Sequence, residues 1–492
     1  MMKEHGKSDE PVIPKKSANK AVAKTEAESM EGRGSAKGNP SQQNTFRAQD
    51  RADVNHAMER VRQVAKQRKE TKFTTLLHHV YNQQMLREAY FSLKKEAAAG
   101  VDGQTWQHYG ERLEEKLEEL SHRLQRAAYQ PQPVRRVYIP KSDGKQRPLG
   151  IPALEDKIVQ RATVEVMNAI YEPEFVDFSC GFRPGRNQHQ ALDQLYLGLL
   201  RKKVNWVLDV DIRAFFDNVA QSWLVKLLEH RIADQRLLRL IQKWLRAGVL
   251  EEGMRIEAKQ GTPQGGSISP LLANVYLHYA FDLWAQQWCR RQANGEVMMV
   301  RFADDIIVGF QRKGDAERFW EDLRERMSKF ELELHPEKTR LLEFGRFAAQ
   351  NRQRQGKGKP ETFTFLGFTH ICGTTRKGEF TVLRQTIRKR MQAKLREVKQ
   401  ELQRRMHEPI GTLGKWLGSV VRGHIRYYGV PMNGCAIAQF RQTVIQIWYR
   451  ILSRRSQNRH LKWKRMKRYI AKYIPQARIC HPYPTGRTIV TT

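Results

Sequence analysis

Two adjacent carboxylates, Asp304 and Asp305, lie in Val297-Met298-Met299-Val300-Arg301-Phe302-Ala303-Asp304-Asp305-Ile306-Ile307-Val308-Gly309-Phe310, between two apolar, β-prone runs. Side-by-side carboxylates in such a setting are costly to fold around unless positive charge neutralises them. The natural candidate is a divalent metal. A third acid in similar surroundings occurs earlier, in Trp206-Val207-Leu208-Asp209-Val210-Asp211-Ile212. If Asp211 meets the acidic pair, two Mg²⁺ ions roughly 4 Å apart could be held for in-line phosphoryl transfer. Such sites use few protein carboxylates and let substrate phosphates complete the shell. The plain alternative is that Asp-Asp is a turn pair, which Asp favours for its own reasons.

The elements that must bring these acids together follow from periodicity. Counting in twos puts Asn205, Val207, Asp209 and Asp211 on one face of a strand, with Trp206, Leu208, Val210 and Ile212 on the other. Asp304 and Asp305 then sit at the turn of a hairpin whose arms are 297–302 and 306–310. Residues 127–370 alternate short apolar runs with helical stretches, which predicts an α+β domain. Residues 71–126 read as a helical extension in which Leu113, Leu117, Leu120 and Leu124 share a face, broken by a turn at Gly100-Val101-Asp102-Gly103. Residues 1–70 hold few large apolar side chains and read as a mostly disordered basic segment, helical only toward Val61. A basic, loop-like insert is expected from Gln350 to Pro360. Residues 381–487 turn helical, with Lys, Arg, Trp and Tyr interleaved.

Charge narrows the class. The chain has 492 residues and a net charge of +35, which points to a polyanionic partner, nucleic acid first. From Thr381 onward there are 25 Lys and Arg against 3 acids, so the C-terminal part supplies most of the excess. Five scattered cysteines form no C-x-x-C or Cys/His cluster, which argues against structural zinc and a disulfide framework and fits a reducing cytoplasm. No apolar run is long enough for a membrane span, and Met1-Met2-Lys3-Glu4-His5 opens no signal peptide, so no membrane association is expected.

Longer motifs make the reading specific. Phe302-Ala303-Asp304-Asp305 and Asp209-Val210-Asp211-Ile212-Arg213-Ala214-Phe215-Phe216-Asp217 accompany Gln260-Gly261-Thr262-Pro263-Gln264-Gly265-Gly266-Ser267-Ile268-Ser269-Pro270. Tyr138-Ile139-Pro140-Lys141-Ser142-Asp143-Gly144-Lys145-Gln146-Arg147-Pro148 reads as a basic hairpin with an Asp-Gly turn. Together these resemble a bacterial group II intron-encoded reverse transcriptase/maturase, from about residue 73 to Arg487. The string from Gln260 to Pro270 disfavours the diversity-generating retroelement enzymes, which depart from it. Phe302 replaces the family's usual Tyr, keeping the ring and losing a hydroxyl.

The resemblance implies a right-hand polymerase, with fingers and palm in residues 127–370 and an α-helical maturase thumb in residues 381–487, and assigns catalysis and metal binding to Asp211, Asp304 and Asp305, not to Asp209 or Asp217. It implies that Lys141 and Arg147 clamp a deoxynucleoside triphosphate, that Gln264 contacts it, and that Phe216 is an aromatic gate against a 2′-OH. One of Phe215 and Phe216 is expected to be plain core. Lys338, in His335-Pro336-Glu337-Lys338-Thr339, is a possible proton donor to pyrophosphate, with a surface lysine as the equal alternative. Arg183 and Arg186 could meet template phosphates or hold their own loop. Phe365-Leu366-Gly367-Phe368 matches the hairpin that grips the primer.

Gly423-His424-Ile425-Arg426-Tyr427-Tyr428 and Ile447-Trp448-Tyr449-Arg450 resemble the maturase thumb, with Arg422, Arg426, Lys462, Lys464 and Arg465 as RNA contacts and Trp448 and Tyr449 as core. The implied activity is RNA-directed DNA synthesis with two Mg²⁺ ions. The implied partners are intron RNA, an RNA template with a DNA primer, and target DNA. The implied location is the bacterial cytoplasm, associated with the nucleoid. No Cys/His-bearing endonuclease region follows His481-Pro482-Tyr483-Pro484, so priming from existing 3′ ends is expected. Two alternatives are a maturase that only assists splicing and a reverse transcriptase recruited to host repair or defence.

Overall fold

The computed structural model describes residues 40–140, 146–251, 254–256, 260–261, 265–375, 377–455 and 461–484. Its strands are β1 (Val134–Pro140), β2 (Gln146–Ile151), β3 (Trp206–Val210), β4 (Val249–Glu251), β5 (Met254–Ile256) and β6 (Val297–Phe302). They continue with β7 (Asp305–Phe310), β8 (Arg340–Glu343), β9 (Phe363–Phe365), β10 (Phe368–Thr374) and β11 (Phe380–Thr386). One antiparallel sheet has the order β6-β7-β3-β8, a second runs β2-β1-β4-β5 with a parallel β1–β4 pair, and a third runs β11-β10-β9. With the helices between them, this is the expected mixed α+β architecture.

The period-two pattern in β3 separates two cores. Leu208 and Val210 join Ile306, Val308 and Phe310 in one cluster, completed by the helices Leu154–Tyr171, Ser269–Leu277 and Lys313–Lys329. Val207 faces the other way and packs with Met298, Val300, Ile307 and Leu342 under the helix Gln188–Arg201 and the third sheet. Both faces of the sheet are thus covered by apolar side chains, so a one-residue slip of β3 would exchange its two packed faces. The register is therefore specified by burial on both sides.

Two expectations are corrected. Disorder does not extend to residue 70: Pro40–Gln67 is helical, and Val54, Met58 and Ala65 are buried along one stripe. Their spacing of four and seven residues is a helical face that composition alone hides. Residues 1–39 lie outside the described residues. The insert from Gln350 is no plain loop either, because Ala348–Arg354 is helical and Asn351 donates to the Glu343 carboxylate at 3.0 Å. Good helix formers fill that stretch up to Gly356.

Toward the C-terminus, the helices Arg388–Arg404, Ile410–Tyr428, Gly434–Ser453 and Trp463–Tyr473 share a third core of Leu402, Leu417, Val421, Phe440, Val444 and Trp448. Trp448 is fully buried, as expected, and Tyr449 is half-buried with its ring edge-on to Trp463. The five cysteines are free thiols, and no described helix is long and apolar enough to cross a membrane.

Candidate active site

The register of the central sheet sets the acids in line. β3 pairs with β7 through Val210↔Ile306 and Asp209↔Ile307, so one more step places Asp211 opposite Asp305. On its other side β3 pairs with β8 as far as Asp209↔Arg340; beyond that the register shifts, with Ile212 bridged to Leu334 and His335 lying against Asp211. Lys338 reaches the acid through its side chain, with Nζ 3.3 Å from Asp211 Oδ2. Phe302 faces Asp305 across the β6–β7 hairpin. Asp209 shares the Val207 face, and its Oδ2 lies 3.5 Å from Arg340 Nη2. The expected hairpin differs in one detail: Asp305 is the first residue of β7, and the two-residue turn is Ala303 and Asp304.

Backbone contacts hold Asp211 where its strand ends. Asp211 N donates to Thr339 Oγ1 at 3.3 Å, and His335 N donates to the Asp211 carbonyl at 2.8 Å. Lys338 and Thr339 therefore act on the same residue, one through charge and one through the main chain.

The carboxylates feel one another. Asp305 is pushed up to about 7, first by the protein atoms crowded around it and then by Asp304, Asp211 and Asp209, with Arg390 opposing. Its side chain nevertheless reaches solvent, as a group at the mouth of a cleft does. Burial pushes Asp209 up to about 6, with Arg340 opposing and Asp211 adding. Carboxylates that raise one another in this way present a negative field with oxygen donors only, which suits a hard divalent cation. Among the described residues, no three acid, His or Cys side chains close into a cage of their own.

The other motifs converge on this end of the sheet. Phe215 is core, whereas Phe216 is half-buried at the edge, with ring centroids 5.4 Å apart. Gly261 approaches them so closely that a Cβ there would lie 2.8 Å from the carbonyl oxygens of both Phe216 and Asp217. Only glycine permits that approach at its φ of +82°. Ser267 N donates to Gln160 Oε1 at 2.8 Å, tying the segment to the helix that follows β2. Lys141 and Gln264 lie outside the described residues; Arg147 belongs to β2, opposite Ile139, and its side chain lies outside them too.

Arg183 does not face a template. It is buried, ion-paired to Glu172 at 2.8 Å, and donates to the carbonyls of Val176 and Ser179, so it holds its own loop. Arg186 pairs with Asp177 at 2.8 Å. Leu366 and Gly367, at φ +47° and +85°, form the turn between β9 and β10. The Tyr427 hydroxyl donates to the Leu366 carbonyl at 2.9 Å. Arg422, Arg426, Lys462, Lys464 and Arg465 are all exposed.

Sequence reasoning missed Arg390, an exposed residue of the helix Arg388–Arg404 whose charge reaches Asp305. Only the folded packing of that helix against the β9–β10 turn reveals it: a Cβ on Gly367 would lie 3.3 Å from an Arg390 nitrogen. It also missed the buried group beneath the acidic turn formed by Arg301, Asp282 and Asn274. The available signal was a polar row, Asn274, His278 and Asp282, spaced by four in an otherwise apolar helix.

Comparison with known proteins places these features in a family. The family model described as "Reverse transcriptase (RNA-dependent DNA polymerase)" matches residues 139–370. The chain is similar to Protein YkfC of Escherichia coli, 34% identical over 317 residues that span 58% of this chain and 78% of that protein. It is similar to the group II intron-encoded protein LtrA of Lactococcus lactis, 37% identical over 222 residues, 45% of this chain and 37% of LtrA. A 91 kDa protein in the cob intron of Schizosaccharomyces pombe is 45% identical over 146 residues, 30% of this chain and 18% of that protein.

Proposed function

We propose that this chain, which belongs to the reverse transcriptase (RNA-dependent DNA polymerase) family and has group II intron-encoded relatives, copies RNA into DNA and assists the splicing and mobility of an intron. The observation that carries the proposal is the gathering of Asp211, Asp304 and Asp305 at one end of the central sheet, with Lys338 Nζ 3.3 Å from Asp211 Oδ2. In this reading the β6-β7-β3-β8 sheet is the palm, the β2-β1-β4-β5 sheet belongs to the fingers, and the C-terminal helices form the thumb.

Asp211, Asp304 and Asp305 would hold two divalent ions, Mg²⁺ being the physiological choice. When bound, such ions lower the pKa of an attacking hydroxyl and neutralise charge on the transferred phosphoryl group. The chain's own residues do the rest. Lys141 and Arg147 neutralise the triphosphate, Arg through its fork of donors and Lys as a point charge. Gln264 contacts the nucleotide, and the Phe216 ring excludes a 2′-OH. Lys338 gives a proton to the departing pyrophosphate. Arg422, Arg426, Lys462, Lys464 and Arg465 meet RNA phosphates, close to aromatic rings that can stack on bases. Intron RNA, an RNA template annealed to a DNA primer, target DNA and deoxynucleoside triphosphates are the proposed partners.

Primer extension on an RNA template with Mg²⁺, comparing wild type with Asp304→Asn, tests the reading. Extension by the wild type alone supports it. A folded wild type that binds RNA tightly and extends nothing would replace it with a splicing-only maturase. A splicing assay at low Mg²⁺ with no dependence on the protein would remove the second role.

A further inference from the structure

We propose that Arg301, clamped by Asp282 and Asn274, is a positioning residue that sets the acidic turn for catalysis. The inference rests on the reading of Asp304 and Asp305 as the metal-holding acids. Arg301 is completely buried one residue before the Phe302–Asp305 pair that closes the hairpin. Its Nε donates to Asp282 Oδ1 at 2.7 Å and its Nη2 to Asp282 Oδ2 at 2.5 Å. This two-pronged pair fixes the plane of the guanidinium. The remaining nitrogen, Nη1, is thereby aimed at two acceptors, Asn274 Oδ1 and the Ala303 carbonyl, each at 3.1 Å.

The Ala303 carbonyl belongs to the peptide bond that leads into Asp304. Ala303 has a φ of +58°, the left-handed region that hairpin turns normally fill with Gly or Asn. A side chain with a Cβ holds that conformation only when its surroundings impose it. Arg301 supplies that imposition from below. Its own main chain is fixed as well, since Arg301 N donates to Phe178 O and Cys180 N donates to Arg301 O, both at 2.8 Å. Asn274 Nδ2 donates to the Gly181 carbonyl at 2.7 Å, so the loop that packs against the turn hangs on the same group.

The supporting helix is built for the task. Asn274 and Asp282 are eight residues apart, which in a regular α-helix leaves them roughly 80° out of line. The segment His278–Asp282 is a π-helical turn, which takes up an extra residue and brings Asp282 back beneath Arg301. A buried ion pair is a weak device for stability, because well-packed apolar side chains commonly do as well. Its directionality is what apolar packing lacks: no methyl group can hold a carbonyl at a chosen angle.

The test uses the full chain and two variants. Arg301→Lys keeps a charge against Asp282 but loses the fork that reaches Ala303. Arg301→Met with Asp282→Leu removes the pair and refills its volume. Single-nucleotide incorporation gives kcat and KM, and primer–template Kd, Tm and the Mg²⁺ concentration for half-maximal rate are measured beside it. Both variants are expected to bind primer–template like the wild type and to lose on the order of 10- to 100-fold in kcat, with a several-fold higher Mg²⁺ requirement. A double variant with wild-type kcat and Mg²⁺ requirement overturns the proposal, as does a defect that disappears when the assay is cooled in step with a lowered Tm. If the double variant does not fold, Arg301→Lys decides on the same readouts. A wild type that extends no primer removes the reading of the acids and this inference with it; an active wild type with unaffected variants removes this inference alone.

Discussion

Gly181→Ala should cripple the polymerase through a single methyl group. The Gly181 backbone lies against the acidic turn so closely that a Cβ would fall 2.3 Å from Ala303 N, 2.9 Å from the Phe302 carbonyl carbon and 3.2 Å from Ala303 Cα. Comfortable contacts between such atoms lie near 3.5 Å, so one side must retreat by about 1 Å. Neither side gives easily. The Gly181 carbonyl is held by Asn274 at 2.7 Å, Cys180 N by the Arg301 carbonyl at 2.8 Å, and Ala303 by Arg301 at 3.1 Å. Overpacking of this kind costs about 1–3 kcal/mol of stability, which a chain of this size survives. The larger effect is on rate, because a displacement of about 1 Å at reacting groups costs on the order of 10²-fold. Single-nucleotide incorporation under saturating primer–template should show that loss in kcat, with primer–template affinity unchanged. Gly314→Ala, where a Cβ meets nothing within 4 Å, serves as the matched control and should leave the rate alone. A folded Gly181→Ala protein with kcat within about twofold of wild type would refute the claim that this contact sets the turn.

Two other outcomes follow from the site and the fold. Lys338→Met should slow incorporation on the order of 10²-fold, and Lys338→Arg should not restore it, because Arg keeps the charge beside Asp211 but does not release a proton; wild-type rates in the Arg variant would reduce Lys338 to an electrostatic partner. His424, buried with its ring 3.6 Å from that of Phe440, has its pKa lowered to about 4, first by burial and then by Lys394. A depressed histidine contributes stability that is full above about pH 6.5 and is lost as pH falls toward 4, about 2 kcal/mol by pH 5 for this group. His424→Phe should therefore melt with a flatter pH profile than wild type between pH 6.5 and 4, and parallel profiles would show that His424 is not held neutral.

The acids were readable from the sequence because strand periodicity and carboxylates in apolar runs are both local signals. Alternation in β3 correctly separates Val207 from Leu208 and Val210, and one step past the β3–β7 ladder sets Asp211 opposite Asp305. What escaped is non-local. Arg183 looks like a phosphate ligand until Glu172, eleven residues away, is seen to neutralise it. Arg301 looks like an interruption of an apolar strand until Asp282 meets it from a neighbouring helix. Arg390 lies in a helix whose own periodicity says nothing about the sheet it approaches. The helices Pro40–Gln67 and Ala348–Arg354 were obscured by polar composition, although their propensity and spacing were adequate.

The central place of β3 also governs how the site comes into being during synthesis. Both of its neighbours, β7 and β8, are encoded downstream, and Asp211 is joined by Thr339 only 128 residues later. At about 5–20 residues per second, a ribosome takes on the order of ten seconds to supply them. Until β7 has been made β3 has two unpaired edges, and until β8 has been made it keeps one, the state in which a strand is open to wrong partners. A nascent chain stalled before residue 305 therefore carries Asp211 but has no partner strand to set its register, and chaperone demand should be greatest before that point.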